Sequence, residues 1–217
     1  MARRTLTTAA AFATTATLLL TACGGSNDSS SGDIKGADTG SSTPSASASA
    51  SGTSNVKRPE ITLPKNFELT FQDWTSSDPV EQAVLNDARE QLRAGYAAII
   101  ASEPDGGEAL AFYDTSSGLS QDRQWIKTYT DKNLTVFGKL PAFDAKTTLL
   151  GDNKTRAALT YCTDESKAYT RDRKTSKVEG NPAGTNPEVF YTVTLRKNAK
   201  GVWQNVSTQS TRGGCQS

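Results

Sequence analysis

VFYTVTLRK, residues 189–197, alternates: Val189, Tyr191, Val193 and Leu195 fall on one side, and Thr192, Thr194 and Arg196 on the other. A period of two belongs to a strand with one covered face and one wetter face. The turn Asn198-Ala199-Lys200-Gly201 follows, and VWQNVSTQST then reads as the partner of a hairpin. Working back toward the amino end, KAYTR, TRAALTYC, FDAKTTLL and LTVF read the same way, with Gly151-Asp152-Asn153-Lys154 joining one pair. The second half of the chain is therefore a set of antiparallel strands.

Upstream of Leu134 the period is that of helices. Asp78 stands as a cap, Pro79 suits a first helical position, and Glu81 completes the pattern of a capping box. Leu85, Ala88, Leu92, Tyr96 and Ile99 then recur at spacings of three and four, which sets them on one face, with Asp87, Arg89, Glu90 and Arg93 mostly elsewhere. Pro104-Asp105-Gly106-Gly107 ends the run. Residues 108–113 form a short second helix. Ser120 caps a third over about residues 121–132, with Trp125, Ile126 and Tyr129 turned inward. Before the helices, ITLPKNFELTFQDW alternates at Phe67, Leu69 and Phe71, as a strand or strap packed on the core would. Helices first and antiparallel strands afterwards give an α+β domain, N-terminal helices on a strongly curved, mainly antiparallel sheet.

The helices, the strand ending TYCTDES, the charged segment up to Gly180 and the closing GVWQNVSTQSTRGGC resemble a nuclear-transport-factor-2-like (SnoaL-like) domain, in the exported form found in actinobacterial lipoproteins. The resemblance spans about residues 78–215. It implies a cone of helices and bent sheet whose open end holds a small ligand or pairs with a partner.

The amino end gives an address. Arg3 and Arg4 precede a charge-free, threonine-rich stretch over residues 6–20 that is too short and too polar for a spanning helix, which needs about 20 apolar residues. A basic start, an apolar middle and small residues at the end describe an export signal. Leu20-Thr21-Ala22-Cys23 resembles a lipobox, which implies a diacylglyceryl thioether on Cys23 and cleavage after residue 22. Residues 1–22 are then a signal peptide and residues 23–60 a lipidated cysteine with a Ser/Ala/Gly tether. Residues 61–217 form a single domain, since 157 residues suffice for one core and not for two. The tether has only Ile34 and Val56 as sizeable apolar residues, too few to offset its ordering entropy. As a flexible coil it spans roughly 30–37 Å. The expected location is the extracytoplasmic face of the cell membrane, held by lipid.

Cys23 leaves Cys162 and Cys215, and an even pair in an exported domain is expected to be a disulfide. Removing Arg3 and Arg4 from 24 basic residues leaves 22 against 23 acidic ones, a formal charge of −1. Such balance gives no reason to expect nucleic acid as a partner.

The chain has no histidine, which removes the usual general base, the usual partner of a serine or cysteine nucleophile, and the commonest zinc ligand. Its one methionine is Met1. No phosphate-binding glycine loop and no G-x-S-x-G elbow occurs. No metal and no cofactor are expected. Ligand-binding candidates are the aromatics Trp125, Tyr129, Tyr161 and Tyr191, set between the third helix and the sheet, with Asp164 near the mouth. The expectation is a non-catalytic module that binds a small apolar ligand or an envelope protein. The alternatives are an accessory subunit dimerising through its sheet face, and an acid/base enzyme using Asp164 or Glu165.

Overall fold

A computed structural model of the chain describes residues 56–215. The signal peptide, Cys23 and almost all of the tether lie outside the described residues. Three helices lie against one strongly curled sheet, as expected. The elements run β1 (Phe67–Phe71), α1 (Pro79–Ala101), α2 (Gly107–Tyr113), α3 (Ser116–Thr130), β2 (Leu134–Leu150), β3 (Arg156–Asp164), β4 (Lys167–Asp172), β5 (Val178–Glu179), β6 (Glu188–Lys197) and β7 (Trp203–Arg212). The strand order is β5-β4-β2-β3-β6-β7, and β1 adds to β2 in parallel. The other pairings between these strands are antiparallel.

The curl originates in β2. LTVF and FDAKTTLL, expected as separate strands, belong to one strand of 17 residues, because Gly138 and Pro141 bend it without ending it. Its first half pairs with β4 and its second half with β3. At Gly138 φ is +99°, and a Cβ would sit only 2.2 Å from the Lys167 carbonyl oxygen, so no side chain fits there. A second bend lies between Phe143 and Lys146, where the β3 register slips and Asp144 takes φ 54°. A third is a bulge in β7: Thr194 faces Ser207 and Leu195 faces Asn205, which leaves Val206 unpaired.

The first helix starts as the sequence requires. Asp78 accepts from the Val80 and Glu81 amides, with Pro79 next to it. Glu81 does not close a capping box; its carboxylate takes the Ser76 hydroxyl instead. Leu85, Ala88, Tyr96 and Ile99 are buried, with Leu92 half-buried. Asp87 is buried as well, contrary to expectation, because Arg58 and the Trp203 amide meet its carboxylate. Val56 and Arg58, which the sequence assigns to the tether, thus already pack on the domain. The third helix begins five residues earlier than expected, with Thr115 rather than Ser120 as its cap.

Cys162 and Cys215 are bonded, with Cα atoms 6.0 Å apart. On β3, Ala157, Leu159 and Tyr161 face the helices, so Cys162 lies on the outer face, and the bond holds the last residues against it. Opening a loop of 53 residues removes about 4 kcal/mol in the chain-entropy account. Replacing Cys215 with serine is therefore expected to lower stability by about that amount, read as a shift in the urea midpoint. An unchanged midpoint would show that the crosslink contributes nothing.

Candidate functional site

The helices do not fill the hollow of the sheet. A cavity of about 180 Å³ remains between α1, α3 and the strands, lined by Gln91, Leu92, Tyr96, Gln121, Asp122, Trp125, Tyr161, Tyr191, Thr208 and Ser210. Tyr161 and Tyr191, opposite each other on β3 and β6, stack at 4.9 Å with planes 10° apart. Tyr96 and Trp125 meet edge to face at 5.2 Å. Burial raises the hydroxyl pKa of Tyr96 and Tyr161 well above the usual tyrosine value and pushes Tyr191 up to about 12. These phenols therefore keep their protons at any ordinary pH.

Trp125, Tyr161 and Tyr191, picked from sequence, come together on this wall. Tyr129 stands behind Trp125, 6.0 Å between ring centroids, and lines a second hollow of about 230 Å³ with Phe67, Tyr96, Glu165 and Asn181. Asp164 is not at either. Its two oxygens take the Ser166 amide and hydroxyl, 2.8 and 2.9 Å away, in a turn on the outside. Glu165 pairs with Arg212, which also donates to Asn181 and the Asn186 carbonyl.

The charged residue on the cavity wall is Asp122, which the sequence reading overlooked, along with Asp114. Both are buried, with 7% and 4% of their surface exposed. Asp114 ends α2 and Asp122 lies in the second turn of α3, so the short α2–α3 link brings them side by side. One amide spans both: Gln91 Nε2 donates to Asp122 Oδ2 and, at 3.3 Å, to Asp114 Oδ1. Asn205 Nδ2 approaches Asp122 from the β7 bulge at 3.5 Å. The bulge itself is fastened to the link. The Asn205 carbonyl accepts from the Thr115 amide and hydroxyl, and Gln204 donates to the Phe112 and Asp114 carbonyls. Gly118 permits the approach, since a Cβ there would lie 2.3 Å from the Asn205 oxygen.

Two buried carboxyls in contact cannot both be ionised. Desolvation first, and the neighbouring Asp122 second, drive Asp114 up to about 9; desolvation raises Asp122 to about 6, against hydrogen bonds from Asp114, Asn205 and Gln91 that lower it. The two titrate as a unit. Asp114 Oδ2 is buried with no hydrogen-bond partner among the described residues, an environment that favours the neutral carboxyl over the carboxylate. Near neutral pH the site thus presents one negative charge, on Asp122, with one proton in reserve behind it. Among the described residues no group of three or more His, Cys, Asp or Glu side chains is placed to hold a metal ion.

No family model and no curated protein matches this chain. Among solved structures it is similar to a ketosteroid isomerase-like protein from Erwinia carotovora atroseptica, at 12% identity and TM-score 0.42, over 64% of this chain and 100% of the other. It is similar to ActVI-ORFA from Streptomyces coelicolor, at 10% identity and TM-score 0.41, over 60% and 97%. A protein named after scytalone dehydratase from Novosphingobium aromaticivorans matches at 9% identity and TM-score 0.39, over 63% and 92%. The names of an isomerase and a dehydratase among these neighbours run against the expectation that the chain is not an enzyme, and at 9–12% identity they assign it no activity. The premise of that expectation, that no acid/base equipment was available, also fails: it rested on the missing histidine and did not count two buried aspartates.

The pair makes a stability prediction whose sign is fixed. A carboxyl whose folded-state pKa exceeds its unfolded value, about 3.9, stabilises the fold fully below that value and loses the contribution as pH rises through the folded pKa. For this pair the loss runs from about pH 4 through 6 to 9. Asp114→Asn keeps a donor toward Asp122 without an ionisable group. It is expected to match the wild type at pH 4 and to exceed it at pH 8 by about 1 kcal/mol or more, a Tm rise of about 2–4 °C. Thermal melts at the two pH values check this; equal destabilisation at both would disprove the shared proton.

Proposed function

We propose that this chain is a lipid-anchored extracytoplasmic protein whose domain takes up a small, mostly apolar molecule in the aromatic cavity and moves a proton on it with Asp122. The observation that carries the reading is a buried carboxylate on the cavity wall, backed by a second carboxyl that holds a proton. Asp122 is the group that touches the ligand and accepts its proton. Asp114 acts through Asp122: by keeping its own proton it leaves Asp122 ionised and basic at neutral pH. Gln91 and Asn205 fix the carboxylate's orientation. The tyrosine hydroxyls, held protonated, are donors for an oxygen that gains charge as the proton leaves. The reaction class is proton transfer at carbon, as in an isomerisation or an elimination. A carboxylate base in an apolar pocket suits it because neither metal nor nucleophile is needed.

The cavity, at about 180 Å³, is smaller than the usual 300–1,000 Å³ of drug-sized sites, so the ligand is small. Anchoring rests on the lipobox-like Leu20-Thr21-Ala22-Cys23. Among the described residues no helix is long and apolar enough to cross a membrane.

Two experiments test the two halves. The mature protein, taken from its own membranes in mild detergent and analysed by native mass spectrometry, is expected to carry a small molecule. In D₂O that molecule should gain deuterium at carbon, and Asp122→Asn should slow the exchange about 10²- to 10⁴-fold. Equal exchange by the variant would remove Asp122 from the chemistry. Separately, Cys23→Ala is expected to abolish acylation and release the exported protein from membranes in a fractionation; full retention would refute the anchor.

A further inference from the structure

The charge inside the sheet's hollow has one sign. Asp122 is the charged side chain lining the smaller cavity; every other residue on that wall is aromatic, aliphatic, an amide or a hydroxyl. Among the described residues no lysine or arginine lines it. The neighbouring hollow, which shares Tyr96, adds Glu165 and Glu179 and again no basic residue on its lining. The guanidinium of Arg212 is taken by Glu165, Asn181 and the Asn186 carbonyl.

Four rings line the same cavity as this single charge. Trp125 lies one turn beyond Asp122 on α3, Tyr96 meets it edge-on from α1, and the Tyr161–Tyr191 stack faces them from the sheet. Aromatic faces attract a cation through their quadrupole, most strongly where water is excluded. A neutral apolar ligand gains the same contact area but leaves Asp122 without a counter-charge in a desolvated site. A ligand with its own positive charge removes that penalty.

Resting on the reading that this cavity is the ligand site, we infer that its ligand is a small organic cation, a protonated or quaternary amine seated among Tyr96, Trp125, Tyr161 and Tyr191 with its charge beside Asp122. The apolar substituents of such a cation meet the rings, and Gln121, Thr208 and Ser210 offer polar contacts to the remainder of the molecule. Asp114 fits this role as the partner that holds one proton, which keeps the site's charge at one and matches a monocation.

Choline and its uncharged carbon isostere, 3,3-dimethylbutan-1-ol, have nearly the same shape and differ by one charge, so they serve as probes. Titration calorimetry on the full mature chain at pH 7.5 is expected to give choline an affinity at least about 10-fold above the isostere. Asp122→Asn should erase the difference, and Trp125→Leu should weaken choline more than the isostere. Circular dichroism of both variants confirms that they are folded. Equal binding of the two probes, or tighter binding of the isostere, overturns the cation while leaving the cavity as a ligand site. Binding of neither probe overturns the cation inference too, and the deuterium exchange of the retained molecule then judges the cavity on its own. Discrimination that survives Asp122→Asn overturns the assignment of the charge to that residue.

Discussion

How far β2 bends decides how much of the interior the helices can fill. A flat sheet would meet α1 and α3 side chain to side chain and leave a dry, continuous core. Instead Gly138, the slip beside Asp144 and the Val206 bulge curl the sheet strongly around the helices. The core splits accordingly. One buried cluster, with Phe67, Ile99, Leu110 and Ile126, lies under β1 and the start of β2; the other, with Trp74, Leu85, Leu159 and Trp203, lies under β3, β6 and β7. Tyr96 and Trp125 stand toward the first, Tyr161 and Tyr191 toward the second, and the cavity lies among these four rings.

Packing alone would not place two aspartates here. Burying a carboxyl without its charge satisfied costs several kcal/mol, and a sequence selected only for stability would have kept the stripe of α3 apolar. What makes the burial tolerable is the sharing of one proton and one amide between two acids, with the β7 bulge supplying Asn205. The same arrangement makes the site sensitive, because every member of the network holds another: Gln91 holds both acids, Gln204 and Asn205 hold the α2–α3 link, and Thr115 caps the helix that carries Asp122. A compensated cost of this kind is expected where function needs a group that stability does not.

The periods of two and of three to four give the helices, the strands and their order, and Asp78 and Pro79 mark the start of α1. The continuous β2 is less legible, because Gly138 and Pro141 signal a break in any local reading and only the pairing with β1, β3 and β4 shows a bend. For the site, rings are easier to see than acids. Trp125, Tyr161 and Tyr191 announce themselves by type, yet type alone does not separate a wall from a core. A signal for Asp122 was present: it sits three and four residues before Trp125 and Ile126 and seven before Tyr129, a charge on the apolar stripe of α3. Asp87, between Val84 and Ala88 on α1, breaks its stripe in the same way. Asp114 carries no such mark, since the end of a seven-residue helix has no face to violate. Its partner Asn205 is 91 positions away, and no local pattern joins them.

The two faces of β3 carry opposite burdens. Its inner face carries Tyr161 beside the cavity, where the empty volume and the acid pair both subtract from stability. Its outer face, one residue on, carries Cys162, whose bond to Cys215 adds stability without occupying any interior space. An apolar side chain large enough to offset the acid pair would have to point inward and would fill the cavity it was meant to support. A crosslink on the far side of the same strand avoids that conflict, because it acts on the unfolded chain as much as on the folded one. The disulfide and the open pocket are, in this sense, two consequences of one requirement: a sheet rolled tightly enough to enclose a ligand must draw part of its stability from somewhere other than its own interior.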